Sequence, residues 1–299
     1  MPVPVPVAIV GAGRLGTALT RALHESGVPV TGPHGRGFDG TGAGVVLLCV
    51  PDDAIAAAAD AVTAPGVLLG HCSGASRLDV LGDHEGFSLH PLMTVTRDGA
   101  DFRGVTAAVA GRTPRALAAA TALAGLLGLR AVQVAESDRA AYHAAAAIAS
   151  NFLITLQDAA TELIATAGLD RGVLMPLARA ALDNWGKVGP AALTGPVARG
   201  DTRTVDRHRD TVTERTPDLL GLFDALVAAT ERLARRTATA VEVRPAVRDS
   251  TLGETVSEIR GSGDDLVQEP GRGPGSMPLP PRTAPSDPHD PRASESASP

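Results

Sequence analysis

A glycine-rich turn close to the start of the chain constrains the fold more than any other feature. Gly11-Ala12-Gly13-Arg14-Leu15-Gly16 directly follows the apolar run Val5 to Val10 and opens a helical pattern from Leu15 to Ser26, closed by Gly27. A buried strand, a GxGxxG turn and a helix in that order predict the first βα unit of a dinucleotide-binding sheet. Each glycine then has a mechanical task. Gly11 permits the tight turn, Gly13 lets a pyrophosphate approach the backbone, and Gly16 lets the helix pack on the strand. The helix start at Arg14 and Leu15 offers unpaired N–H groups and the positive end of the helix dipole. The motif alone can arise by chance in a chain with 33 glycines; its place between strand and helix gives it weight.

The next strand, Val28 to Thr31, bears on the choice of cofactor. An NAD-binding unit usually carries Asp or Glu about 20 residues after the first glycine, to hold the ribose hydroxyls. Here Pro29-Val30-Thr31-Gly32-Pro33-His34-Gly35-Arg36 has no acid, and the first is Asp39. Thr31, His34 and Arg36 suit a 2′-phosphate instead, so NADP(H) is expected over NAD(H). Further apolar runs at 45–50, 67–71, 105–110 and 131–134, with a helix from Pro114 to Leu127, continue the alternation. Residues 1–135 therefore read as an α/β domain with a Rossmann-type parallel sheet. Val50, Pro51 and Ser73 leave its strands where the ribose and nicotinamide of a dinucleotide lie. Asp52 and Asp53 read as helix caps, His71 as a partly buried histidine, and His90 as a residue of the loop after a strand-like run.

Beyond Val134 only helical patterns remain: a long helix from Asp138 to Ala167 with Ser137 as its cap, then helices near 170–184, 202–214 and 216–240. Gly186 to Gly200 reads as a loop. Residues 136–243 thus form an all-α domain. From 244 to 299 the chain turns to Pro, Gly, Ser and Asp, with ten of the 23 prolines and nine acids against five bases after residue 244. Such a segment cannot bury enough apolar surface to offset its ordering entropy and reads as a disordered acidic tail.

The long helix is expected to be buried, since residues 140–156 are mostly Ala, Ile and Leu. His143, Ala147, Ser150 and Asn151 fall within an arc of roughly 100° on it. A narrow polar stripe on an apolar helix points at a partner, because unpaired buried polar groups are costly; that partner is either a ligand or a neighbouring backbone.

Charge and composition exclude several classes. A net charge of −6 argues against broad nucleic-acid binding. The two cysteines, Cys49 and Cys72, make a disulfide framework improbable and fit a reducing compartment. Met1-Pro2-Val3-Pro4 lacks the basic start of a signal peptide, and no apolar stretch has the length of a membrane span. A cytoplasmic protein without membrane contact or metal site is expected.

The motifs together resemble a known group, the Rossmann-like proteins with an uncharacterised C-terminal helical domain. These lie in the 6-phosphogluconate dehydrogenase-like reductase superfamily, near ketopantoate reductase and pyrroline-5-carboxylate reductase. The resemblance rests on VGAGRLG at 10–16, VPDDAI at 50–55, HCSGA at 71–75, LHPL at 89–92, YHAAAAIASNFL at 142–153 and ALTGPVARGD at 192–201. It implies an NADP domain, a helical domain that binds substrate and forms a homodimer, and reduction of a small C=O or C=N compound between them. Among these relatives, hydroxyacid dehydrogenases and ketopantoate reductases use a lysine four residues before an asparagine on the long helix. Here Ala147 stands there, and the one lysine of the chain, Lys187, lies in the later glycine-rich segment.

Hydride transfer from a nicotinamide leaves the protein to orient the substrate and deliver one proton. His143 is the first candidate for that proton, because an imidazole titrates near neutral pH; His90 is the second, and Lys187 a possible substitute acid. Asn151 would hold the substrate oxygen or nitrogen beside Ser150. Arg199 can pair with a substrate carboxylate and Asp201 can cap the next helix, though both also suit locking the loop in place. Three functions follow: a reductase of a 2-oxo acid, ketopantoate first; an imine reductase of the pyrroline-5-carboxylate type; or a non-catalytic NADP-binding sensor.

Overall fold

Alternate residues of the apolar strands face opposite ways, and both faces of the sheet are covered. A computed structural model describes residues 6–242 of the chain. In β1 (Val7–Val10) and β3 (Val45–Leu48), Val7, Ile9, Val45 and Leu47 enter one core while Ala8, Val10, Val46 and Leu48 enter the other. The first core is closed by α1 (Arg14–Glu25), through Leu19 and Leu23, and by α3 (Pro114–Leu126), through Ala116, Ala120 and Leu123. The second is closed by α2 (Ile55–Asp60) and by a short 3₁₀ turn at Leu78–Leu81. With few aromatic residues, these layers are built from Ala, Val and Leu.

The sheet has seven strands, completed by β2 (Val30–His34), β4 (Leu68–His71), β5 (Gly86–Pro91), β6 (Thr106–Gly111) and β7 (Arg130–Gln133). Their order is β2-β1-β3-β4-β5-β6-β7. The chain leaves β1 to one side for β2 and returns to the other for β3, so the crevice at the carboxyl ends of β1 and β3 is the topological switch point. The glycine turn sits there. The sheet departs from the expected all-parallel arrangement, because β5 and β6 pair antiparallel. That departure follows from β5 itself, which the sequence pattern placed partly in a loop; His90 lies within this strand, not after it.

The all-α segment holds α4 (Arg139–Ala149), α5 (Asn151–Ala165), α6 (Met175–Val188), α7 (Pro196–Arg199), α8 (Thr202–Arg215) and α9 (Leu220–Glu242). The single long helix expected over 138–167 is broken at Ser150. Its hydroxyl donates to the Ala146 carbonyl at 2.9 Å and its backbone leaves helical geometry at φ −119°, as side-chain back-bonding bends helices. Ser137 does not cap this helix; its hydroxyl bonds Asp138 in a 3₁₀ turn at Glu136–Asp138. The 186–200 segment is not a plain loop either. α6 runs on to Val188, a 3₁₀ turn follows at Gly189–Ala192, and Pro196 starts α7. Residues 140–156 are also not buried: Phe152 is 57% and Ile154 69% exposed. The proposed tail, 244–299, lies outside the described residues.

Candidate active site

At the switch point the three glycines separate by their surroundings. Gly11 has φ +108°, and a Cβ there would lie 2.4 Å from the Cys49 carbonyl oxygen. Gly16 would bring a Cβ within 1.9 Å of the Gly11 carbonyl oxygen. Both are demanded by the chain's own packing. Gly13 is not. Its φ of −73° suits any residue, and a Cβ there would meet nothing within 4 Å. The open side of Gly13 leads to the first turn of α1, whose N–H groups have no helical acceptor. That is a cradle shaped for an anionic group to approach backbone. Beside it lies a depression of about 250 Å³ lined by Arg14, Thr17 and Arg21 of α1 and by Arg97 and Asp98 of the loop after β5. Arg97 is a contributor that sequence reasoning missed, since nothing local ties that loop to α1.

The end of β2 closes the other side of the turn. The His34 carbonyl accepts a hydrogen bond from the Gly11 N–H at 2.9 Å. Its ring lies 3.0 Å from the Thr31 hydroxyl and stacks on Phe38 with centroids 3.9 Å apart. Thr31 and His34 are thus brought together, and Arg36 follows on the surface.

Val50 and Pro51 follow β3, and Asp52 does not cap α2. Its carboxylate accepts from the Ser73 hydroxyl at 2.8 Å, and no side chain caps the Asp52–Ala54 turn or α2. The Ser73 oxygen in turn accepts from the N–H groups of Ala75 and Ser76. Ser73 therefore shapes the turn after β4 and keeps no hydroxyl valence for a ligand. His71 is wholly buried. Its Nδ1 accepts from the Ser73 N–H, its Nε2 has no partner, and burial with the Arg139 charge lowers its pKa to about 4.

Arg139, at the start of α4, is the buried cation of this edge, only 1% exposed. Its guanidinium donates to the carbonyls of Ser73 and Ser76 and to the Ser88 hydroxyl at 2.8–3.1 Å. One side chain thereby ties α4 to the turn after β4 and to β5. No sequence signal marks it, since an arginine after Ser137-Asp138 reads as a solvated first-turn residue.

The same tether sets α4 over β5 and encloses a cleft of about 640 Å³, within the range of small-ligand sites. His90, Tyr142, His143, Ala147, Ser150 and Asn151 all line it. Every residue of the expected stripe is present, and His90 joins it. His90 Nδ1 lies 2.9 Å from the Tyr142 hydroxyl, and the His90 and His143 rings stand 6.2 Å apart. Burial, then the neighbouring His143, lowers the His90 pKa to about 4, so at neutral pH its ring is uncharged. Burial raises the pKa of Tyr142. Gly74, in the turn after β4, closes on this cleft: a Cβ there would lie 2.8 Å from both His143 Cδ2 and His90 Cε1. Tyr142 is the one tyrosine of the chain, and its isolation in an Ala-rich helix is the sequence signal that marks it.

Three expected residues lie elsewhere. Arg199 ends α7 and Lys187 lies in the last turn of α6, neither lining the cleft. The Asp201 carboxylate accepts from the Thr204 N–H at 3.1 Å and so caps α8. Among the described residues no group of His, Cys, Asp and Glu is placed to hold a metal ion, and no helix is long and apolar enough to cross a membrane.

An open, mainly parallel sheet with a glycine turn at its switch point, followed by helices, defines a Rossmann-type protein with a C-terminal helical domain. Within it, residues 105–230 match the family described as a domain of unknown function, DUF2520. Among solved structures, a provisionally assigned NADP oxidoreductase of Bacteroides fragilis is similar with a TM-score of 0.66 and 20% identity, over 76% of this chain and 98% of its own. A Thermotoga maritima protein is similar with a TM-score of 0.65 and 23% identity, over 78% and 100%. A reductive aminase of Aspergillus terreus, in complex with NADPH and ethyl levulinate, is similar with a TM-score of 0.56 and 15% identity, over 78% and 98%. No curated protein matches by sequence. At these identities the likeness establishes the fold.

Proposed function

We propose that the protein is an NADPH-dependent reductase of a small carbonyl or imine compound. Gly13 carries this reading: its missing side chain answers no need of the chain's own packing and leaves the α1 N-terminus open to a pyrophosphate. Gly11, Arg14, Leu15 and Gly16 complete that cradle, Thr31, His34 and Arg36 receive the 2′-phosphate, and Val50, Pro51 and the backbone at Ser73 line the path to the cleft. The Aspergillus terreus reductive aminase, described with NADPH, shares the fold.

When bound, NADPH supplies the hydride. The chain supplies the rest. Asn151 holds the substrate's oxygen or nitrogen through its side-chain amide, Ser150 fixes the helix break beside it through its bond to the Ala146 carbonyl, and Ala145, Ala146, Ala147 and Ala149 leave room for an apolar substrate body. His143 donates the proton from the cleft surface. A second donor is favoured by the 2.9 Å contact of Tyr142 with His90: with its proton on Nδ1, the neutral His90 ring donates to the Tyr142 oxygen and stabilises the phenolate that proton delivery would leave.

The substrate reading begins with a 2-oxo acid, ketopantoate first, whose carboxylate would need Arg199. No Lys or Arg lines the cleft among the described residues, and its wall is mainly apolar. That favours a ketone or imine without a carboxylate. Loss of NADPH absorbance with ketopantoate, pyrroline-5-carboxylate, simple 2-oxo acids and uncharged cyclic imines tests this. Turnover of the uncharged compounds is expected; NADPH binding without turnover of any would instead indicate a sensor. His143→Ala should lower turnover at least ~100-fold if His143 is the donor, and Tyr142→Phe should do so if Tyr142 is.

The helical segment, 136–243, serves in this reading as a substrate and dimerisation domain in a cytoplasmic homodimer. Val212 is its one fully buried hydrophobic residue among those described, while Ile148, Phe152, Leu177 and Trp185 stand exposed on three helices. Helices must bury their apolar stripes, and a second copy presenting the same stripes is the occupant that matches them. Sedimentation should give twice the chain mass, and Trp185→Glu should shift it to one.

A further inference from the structure

Cys49 and Cys72 are the two cysteines of the chain, and both are free thiols. They follow β3 and β4, whose last paired residues are Leu48 and His71, so they occupy neighbouring positions on adjacent parallel strands. Their sulfurs lie 3.8 Å apart. Neighbouring strands place such residues at a spacing a disulfide can bridge, and bond formation needs the sulfurs to close to about 2.05 Å.

Their surroundings couple that closure to the glycine turn. Cys49 donates its N–H to the Val10 carbonyl at 2.7 Å. Its carbonyl oxygen lies 2.4 Å from where a Gly11 Cβ would be, and its own Cβ lies 3.2 Å from where a Gly16 Cβ would be. There is no slack between Cys49 and the turn. Cys72 immediately precedes Ser73, which orders the turn facing the cleft. The two strand ends are already paired, with the Cys72 N–H donating to the Leu48 carbonyl at 3.1 Å, so closure of the sulfurs is taken up at Cys49 and passes to the turn packed against it.

We propose that Cys49 and Cys72 form a reversible disulfide that disengages the dinucleotide turn, making cofactor affinity redox-sensitive. The oxidant is hydrogen peroxide. The partly exposed Cys49, as thiolate, attacks the peroxide oxygen; the O–O bond breaks, water leaves after proton uptake, and Cys49 carries a sulfenic acid. The Cys72 sulfur then displaces that hydroxyl, which takes up a proton and leaves as a second water. Two thiols and one hydrogen peroxide thus give one disulfide and two waters. Cys72 is buried while Cys49 is partly exposed, which sets the order of the two steps. The effect on affinity rests on the NADPH reading above, while the disulfide and the turn's response do not.

The test uses the full chain treated with hydrogen peroxide, with and without later dithiothreitol. Thiol titration and intact mass count the sulfurs, amide hydrogen exchange reports on residues 11–17, and fluorescence titration gives the NADPH Kd. The expected result is loss of both thiols with the intact mass still that of one chain, faster exchange in the turn, and a Kd raised at least ~tenfold. Dithiothreitol should reverse all three, and neither Cys49→Ser nor Cys72→Ala should show them. Persistence of both thiols, bonding between chains, or a disulfide with unchanged exchange would overturn the proposal. If the reduced chain shows no NADPH binding, the cofactor reading fails, and exchange in the turn still decides the switch.

Discussion

Replacing Gly13 with alanine separates what the fold needs from what a cofactor needs. The Gly13 backbone is extended and the new Cβ meets no atom within 4 Å, so no clash opposes the change. Two terms remain and have opposite signs. Removing a glycine from the unfolded chain stabilises by about 0.4–1 kcal/mol, while alanine is a poorer helix N-cap than glycine by a similar amount. Their sum is near zero, and for a chain of this size Tm should move by less than about 4 °C. Gly16→Ala differs. Its Cβ would overlap the Gly11 carbonyl oxygen, and relief must move backbone, at a cost of about 1–3 kcal/mol or more and a fall in Tm of several degrees. NADPH binding should reverse the ranking seen in stability. Gly13→Ala should raise the Kd at least ~tenfold with the fold intact, because the methyl group stands where the pyrophosphate approaches. Thermal unfolding beside a fluorescence titration measures both. A Gly13→Ala protein that binds NADPH like wild type, or that unfolds as easily as Gly16→Ala, would refute the reasoning.

Three further outcomes follow. Arg36→Ala should weaken NADPH about tenfold and leave NADH unchanged in the same titration; equal losses would remove the phosphate role. Arg139→Ala deletes a buried cation that donates to two carbonyls and a hydroxyl, and should cost about 3–5 kcal/mol, read as a Tm lower by ~10 °C; an unchanged Tm would deny that it fastens α4 to the sheet. His71 and His90 are held near pKa 4, below the 6.5 of a free histidine. The stability they contribute is therefore full above pH 6.5 and is lost as the pH falls towards 4, up to ~3 kcal/mol each. Urea unfolding at pH 7 and pH 5 should show this loss and its reduction in His71→Gln/His90→Gln; equal pH slopes would contradict the burial account.

Much of the sheet was legible because buried strands leave apolar runs and glycines leave fixed spacings. β1, the glycine turn and α1 follow from residues 5–26. The stripe of His143, Ala147, Ser150 and Asn151 does line one cleft, because helical periodicity survives the local break at Ser150. Other features depend on contacts distant in sequence. β5 reads GFSLHP, where Gly, Ser and Pro suggest a loop; its Ser88 is buried between β4 and β6, and its hydroxyl is satisfied by Arg139, 51 residues away. The same tether makes Arg139 a core residue and sets Tyr142 beside His90. The expected burial of residues 140–156 failed for another reason: their apolar face has no partner within the described chain.

On the proposed function, the Gly13 cradle and the His90–Tyr142–His143 cleft are two ends of one NADPH site. A crystal structure with NADPH bound tests it most directly. It should show the pyrophosphate against the N–H groups at Gly13 to Leu15, the 2′-phosphate beside Thr31, His34 and Arg36, and the nicotinamide past Gly74 and open to the cleft. A nicotinamide turned away from His143 and Tyr142, or a cofactor bound elsewhere on the chain, would contradict it.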